Sequence, residues 1–229
     1  MRNPARTTLT TLILCLGIAM SAGIPSASLA AARVADRANA SARPASKSAG
    51  NFALWVIASG DSGGLPFVVV DKKNAQVLVF YRDGRLRGAA PALLGMARGD
   101  DSAPGIGQRK LSSITLEERT TPAGRFVSSL GNNLGEKDVV WVDYDAAISL
   151  HRVITSNRKE RRLQRLATAS TLDNRISYGC INVPEKFYDT VVRPTFTGTN
   201  GIIYILPEVR SLQSVFSTYD GDEKTPASN

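Results

Sequence analysis

Residues 176–182 read Ile176-Ser177-Tyr178-Gly179-Cys180-Ile181-Asn182, and this heptapeptide sets the expectation for the whole chain. Gly179, just before the cysteine, permits a tight backbone path and lets a substrate approach closely. Pro184 follows, a favoured first-turn residue, so a helix is predicted to start there and to end at Arg193-Pro194. Free N–H groups close to a helix start would favour a thiolate at Cys180 and could stabilise an oxyanion. An ordinary thiol is only about 3% ionised at neutral pH, so a nucleophilic cysteine needs a base. The chain holds one histidine, His151, at the end of the apolar run Ala146–Leu150. A histidine at a strand end can face a cysteine on an adjacent loop, which makes His151 and Cys180 the candidate pair.

Outward from the heptapeptide the core reads mainly as strands. Leu54–Ala58 is an apolar run, and Phe67-Val68-Val69-Val70 is β-branched. Asp71-Lys72-Lys73-Asn74 reads as a turn, and Val77–Tyr81 as a further strand. Asp83-Gly84 signals a tight hairpin into another strand near Leu86. Such successive pairs predict an antiparallel meander. Gly95–Gly107 is rich in Gly, Asp and Ser and reads as a loop. Val139–Val142, Ala147–Leu150 and Ile202–Leu206 complete the strands. A first helix is expected over Arg158–Ala169, with Leu163, Leu166 and Ala167 at helical spacing and Asn157/Glu160 resembling a capping box. The fold class is therefore mainly β with helices (α+β), a barrel or sandwich carrying two helices.

The ends differ in composition. Arg2 and Arg6 precede the apolar stretch Leu12–Met20, and small residues flank Leu29 up to Ala30, the pattern of a secretory signal over residues 1–30. Residues 31–51 read as a flexible linker, 52–210 as one catalytic domain and 211–229 as a disordered tail. Cleavage after Ala30 would take the basic count from 28 to 26 against 20 acids, a net charge of +6, and would leave no integral membrane span. It would also remove Cys15 and leave Cys180 as a lone thiol in an exported protein, which is buried and inert or kept for its reactivity. At 43% hydrophobic and 21% charged residues the chain can pack a core. One histidine and two cysteines exclude a four-ligand His/Cys zinc site and a disulfide-dense scaffold.

Ser177-Tyr178-Gly179-Cys180-Ile181-Asn182 resembles the Ser-His-Gly-Cys-hydrophobic-Asn/Arg signature of L,D-transpeptidase catalytic domains, the YkuD type. Phe67–Arg87 looks like that family's opening strands. Thr121-Pro122-Ala123-Gly124-Arg125-Phe126 is similar to its Thr-Pro-x-Gly-x-Phe segment, and Ala147-Ile148-Ser149-Leu150-His151 to the strand that delivers its histidine. The resemblance implies a cysteine acyltransferase acting on peptidoglycan stem peptides, both donor and acceptor, in a bacterial periplasm or envelope. Cys180 would be the nucleophile and His151 the base. The N–H of Cys180, with that of Gly179, would form the oxyanion hole, and Tyr178, Ser177 and Asn182 would be further oxyanion or substrate contacts. No metal or organic cofactor is implied. An L,D-carboxypeptidase, an amide hydrolase and an inactive peptidoglycan-binding module are the alternatives.

Two departures stand out. Tyr178 occupies the place of the signature's histidine. His151 and Ser177 are 25 residues apart, a longer gap than the family's, and the excess carries Arg158-Lys159-Glu160-Arg161-Arg162. This insertion reads as a lid or acceptor-binding element, or as a solvated basic face. It lacks the aromatic residues that single-strand nucleic-acid binding uses, so no nucleic-acid partner is expected.

Overall fold

The computed structural model describes residues 45–135 and 137–220. The expected signal peptide and most of the expected linker lie outside the described residues, as does the tail beyond 220.

Helix α1 (Lys47–Ser59) opens the described chain. It forms because Ser46 caps it, accepting from the Ala49 N–H at 3.1 Å, and because Gly60 ends it in the left-handed region at φ 68°. Ala49, Phe52, Ala53 and Val56 make its buried stripe, an i, i+3, i+4, i+7 pattern. This corrects two expectations. Leu54–Ala58 is helical rather than strand, and the linker does not extend through residue 51. The unbroken apolar run over 53–58 hides the helical period, and Leu54 and Ile57 are in fact exposed.

The strands are β1 (Phe67–Asp71), β2 (Gln76–Phe80), β3 (Leu86–Pro91), β4 (Leu94–Gly95), β5 (Gly124–Asn132), β6 (Asp138–Asp143), β7 (Ile148–Arg152), β8 (Arg175–Ser177), β9 (Ile181–Val183) and β10 (Gly201–Ile205). Eight of them form one sheet in the order β3-β2-β1-β10-β5-β6-β7-β9, and β4 pairs with β8 in a small second sheet. Leu93 and Asn182 exchange two backbone hydrogen bonds at 2.8 and 2.9 Å, which draws the two ends of the large sheet together into a nearly closed barrel. The expected meander is β1-β2-β3. Two pairings of the large sheet are parallel instead, β1 with β10 and β7 with β9, and β4 with β8 is parallel as well.

Alternation along the strands divides the core in two. Val68, Val70, Val77, Val79, Ile203 and Ile205 face the barrel interior, beside Leu150, Ile181 and Val183. Phe67, Val69, Leu78, Phe80, Ile202 and Tyr204 face the other way, beneath α1. Strands buried on both faces need apolar residues at every position, hence their continuous hydrophobic runs. Phe216 and Tyr219 join the outer cluster, with ring centroids 4.6 and 5.3 Å from Phe52. The tail is thus packed at least to Tyr219, after a short helix over Leu212–Val215.

The predicted second helix runs on past Arg193-Pro194. It is helical over Glu185–Phe187, widens to a π turn over Tyr188–Val192 and resumes over Arg193–Phe196. Proline lacks an N–H and crowds the carbonyl four residues back, and the π turn is where the helix absorbs that. The predicted first helix is broken at Arg161, which sits in the left-handed region at φ 50°. A 3-10 turn over Arg158–Glu160 precedes it, and helix α2 (Arg162–Ala167) follows.

Candidate active site

The parallel β7/β9 pairing builds the site. Leu150 is opposite Ile181 and His151 opposite Asn182, so the residue before Ile181 is delivered to the strand that carries His151. Cys180 is a free, half-buried thiol. Its sulfur has the Ser149 hydroxyl at 3.7 Å and the Ala147 carbonyl at 3.6 Å. Burial pushes the thiol pKa up, but hydrogen bonding and charge from His151, helped by Ser149, outweigh it and hold the thiol below its ordinary 9.0.

The tautomer of His151 follows from one contact. Nδ1 is 2.7 Å from the Arg152 carbonyl oxygen. A carbonyl only accepts, so in the neutral ring Nδ1 carries the hydrogen and Nε2 keeps its lone pair. The thiol hydrogen then has two acceptors in its neighbourhood, Nε2 and the Ala147 carbonyl.

The loop that carries Cys180 is locked by side chains on both sides. The Ser177 hydroxyl donates to the Cys180 carbonyl at 2.7 Å and accepts from the Gly179 N–H at 3.1 Å. The Asn182 amide donates to the same carbonyl at 3.2 Å, and its Oδ1 accepts from Arg162 at 2.8 Å. Ser177 and Asn182 are 3% and 1% exposed. Both were expected to touch the oxyanion or the substrate; both instead grip the backbone of Cys180 from inside. The Gly179 N–H, expected in the oxyanion hole, is taken by Ser177. The Cys180 N–H has no hydrogen-bond partner among the described residues and remains the available donor.

Gly179 itself is at φ 131°, and a Cβ there would lie 2.6 Å from the Thr120 carbonyl oxygen and 2.7 Å from Ile148 Cδ1. No other residue fits. Thr121, fully buried, donates its hydroxyl to the Gly179 carbonyl at 2.8 Å and accepts from the Gly95 N–H at 2.9 Å. The Thr-Pro-x-Gly-x-Phe segment thus supplies the rear support of the Cys180 loop, a role that its composition did not disclose.

Thr121 is held in turn by a buried ionic cluster. Lys72 Nζ donates to the Thr121 carbonyl at 2.8 Å and to Asp100 at 2.7 Å. Burial lowers the Lys72 pKa against the pull of Asp100 and Glu208. Burial would raise Asp100, but Lys72 and the backbone N–H groups of Glu208 and Arg210 bring it down to about 2. Glu208 pairs with Arg175 at 2.6 Å. Lys72 lies in the turn after β1, as expected, but its side chain runs inward, which the turn pattern did not disclose.

Tyr178 is half-buried, with the Arg119 guanidinium 3.9 Å from its ring centroid. The basic insertion docks on the site through Arg162 and Asn182, whereas Arg158, Lys159 and Arg161 face solvent. Among the described residues no group of three His, Cys, Asp or Glu side chains could hold a metal ion. Nor is any helix there long and apolar enough to cross a membrane.

No protein-family model and no curated protein matches the chain. Three solved structures give an idea of what it is similar to. The helical cell shape determining protein Pgp2 from Campylobacter jejuni aligns at 15% identity and TM-score 0.42, over 64% of this chain and 49% of that one. An L,D-transpeptidase from Xylanimonas cellulosilytica aligns at 15% and 0.37, over 62% and 60%. The L,D-transpeptidase from Mycobacterium smegmatis aligns at 16% and 0.34, over 61% and 58%. The chain therefore spans about half to three fifths of the length of these structures.

Proposed function

We propose that the protein is an exported cysteine acyltransferase of the L,D-transpeptidase kind, working on peptidoglycan stem peptides in the bacterial envelope. The observation that supports this reading is that His151 lowers the Cys180 thiol pKa by hydrogen bonding and charge beside the β7/β9 pair, with Nδ1 of its ring tied to a carbonyl. The four sequence resemblances give the substrate class.

In this reading Nε2 takes the thiol proton and the thiolate attacks the carbonyl of the third, diamino-acid residue of a tetrapeptide donor. The oxyanion forms against the Cys180 N–H. The imidazolium returns its proton to the leaving amine, so a D-amino acid departs and a thioester remains on Cys180. An acceptor amine then attacks the thioester, Nε2 receives the amine's proton, and the thiol is restored. General acid–base help of this kind supplies about 10²–10⁴-fold, and one oxyanion donor about 10²–10³-fold.

Incubation of the protein with tetrapeptide muropeptides, beside Cys180→Ala, tests this by mass spectrometry. Cross-linked dimers lacking one terminal D-residue, absent with the variant, are the expected products. Tripeptides alone would mean that water is the acceptor and the enzyme an L,D-carboxypeptidase. Unchanged donor with both proteins would overturn the enzymatic reading in favour of a binding module.

A further inference from the structure

We propose that Arg119, laid over the Tyr178 ring, is a carboxylate receptor beside the nucleophile that reads an acidic side chain on the donor stem. The identity of that donor rests on the function proposed above.

Four features converge here. First, the guanidinium lies over the Tyr178 ring, 3.9 Å from its centroid, a contact that orients it while leaving N–H groups of its terminal nitrogens for bonding. Second, it is underused. Its only hydrogen bond among the described residues runs from one terminal nitrogen to the Ile114 carbonyl at 3.2 Å, and its Nε is shielded from solvent without a partner. Third, no carboxylate among the described residues lies within ion-pair distance of it. Neighbouring arginines are satisfied, Arg109 by Glu118 and Arg175 by Glu208, each at 2.6 Å. Glu117 is close enough only to have its own pKa lowered slightly by the Arg119 charge. Fourth, the backbone that carries Arg119 is the same backbone that holds the nucleophile loop. Thr120 abuts Gly179, and Thr121 bonds its carbonyl at 2.8 Å.

An oriented, unpaired guanidinium calls for a planar anion. Tyr178 lies two residues from Cys180, so their Cα atoms are no more than about 7 Å apart and the receptor flanks the nucleophile. A donor attacked at the carbonyl of its diamino-acid residue would place that residue's own side-chain carboxylate there. Tyrosine in place of the signature's histidine then has a physical reason. A neutral ring accepts a cation on its face, and an imidazolium would repel it.

Three tetrapeptides test this, identical except at the third residue: 2,6-diaminopimelate with a free side-chain carboxylate, its side-chain amide, and lysine. Their binding to the full chain carrying Cys180→Ala is measured by calorimetry. The free carboxylate is expected to bind about 10- to 100-fold tighter than the other two. Adding Arg119→Gln should remove that preference, and Arg119→Lys, which keeps charge without the flat stack, should retain part of it. Equal binding of all three peptides, or binding of none, would overturn the proposal without recourse to any variant. Turnover by the wild-type enzyme is followed in parallel, and the preference should appear in KM rather than kcat. A binding preference with no turnover of any donor would refute the transpeptidase reading and leave the carboxylate receptor standing.

Discussion

The two flanks of strand β1 are held together by opposite means. On the outer face, beneath α1, Phe52, Phe67, Phe80, Tyr204, Phe216 and Tyr219 pack ring against ring with few polar contacts. Beyond its C-terminal end, Lys72, Asp100, Glu208, Arg175 and Thr121 form a buried polar lattice that reaches Gly179 and so Cys180. Apolar packing is non-directional and supplies stability. Hydrogen bonds and buried charges are directional, and each missing partner is costly. The molecule uses the first where it needs cohesion and the second where it needs an atom in one place.

Breaking each flank should separate these roles. The largest effect is at the reacting pair: Cys180→Ala should abolish release of the terminal residue, and His151→Ala should slow it about 10²–10⁴-fold, read from single-turnover thioester formation. Next is Phe52→Ala on the apolar flank, expected to cost about 3–5 kcal/mol of stability in denaturant unfolding while kcat per folded molecule holds. Were kcat to fall as well, the flanks would not be separable. Thr121→Val leaves the Gly95 N–H and Gly179 carbonyl without their hydroxyl. It should cost about 1–3 kcal/mol and, by loosening the nucleophile loop, about 10- to 100-fold in kcat.

Two pH experiments sharpen the same contrast. Asp100 is held at about 2, below its ordinary 3.8. Its contribution is therefore fully present above the ordinary value and lost as pH falls toward 2, amounting to about 2 kcal/mol. Asp100→Asn should flatten acid unfolding over that window, whereas Phe52→Ala should shift the whole curve without changing its slope. The smallest effect is on the thiol. Alkylation of Cys180 should show a midpoint below 9.0, and His151→Ala should move it upward, because burial then acts with less opposition. A midpoint unmoved by that substitution would mean that the ring and the sulfur do not communicate.

The strand framework and the heptapeptide were legible because their signals are local. β-branched runs, a hairpin Asp83-Gly84 and a Gly-Cys pair speak for themselves over a few residues. The sequence reading failed where the deciding contact is distant. Helix α1 was taken for linker and strand because its stripe makes sense only against Phe67 and Tyr204 on the sheet. Phe216 and Tyr219 sit in a polar tail, and their partner Phe52 is more than 160 residues away in sequence. Ser177 and Asn182 were assigned to the substrate because their residue types suit that task, yet burial turns them onto the Cys180 carbonyl.

From sequence alone, this protein's single histidine and its Gly-Cys turn pointed to one candidate Cys/His pair, because residues 31–229 hold no other cysteine or histidine. The strand order, the parallel pairing of β7 with β9, the inward path of Lys72 and the stacking of Arg119 on Tyr178 were decided only by tertiary structure. Each depends on which residues a closed sheet brings within a few ångströms, and no local pattern encodes that distance.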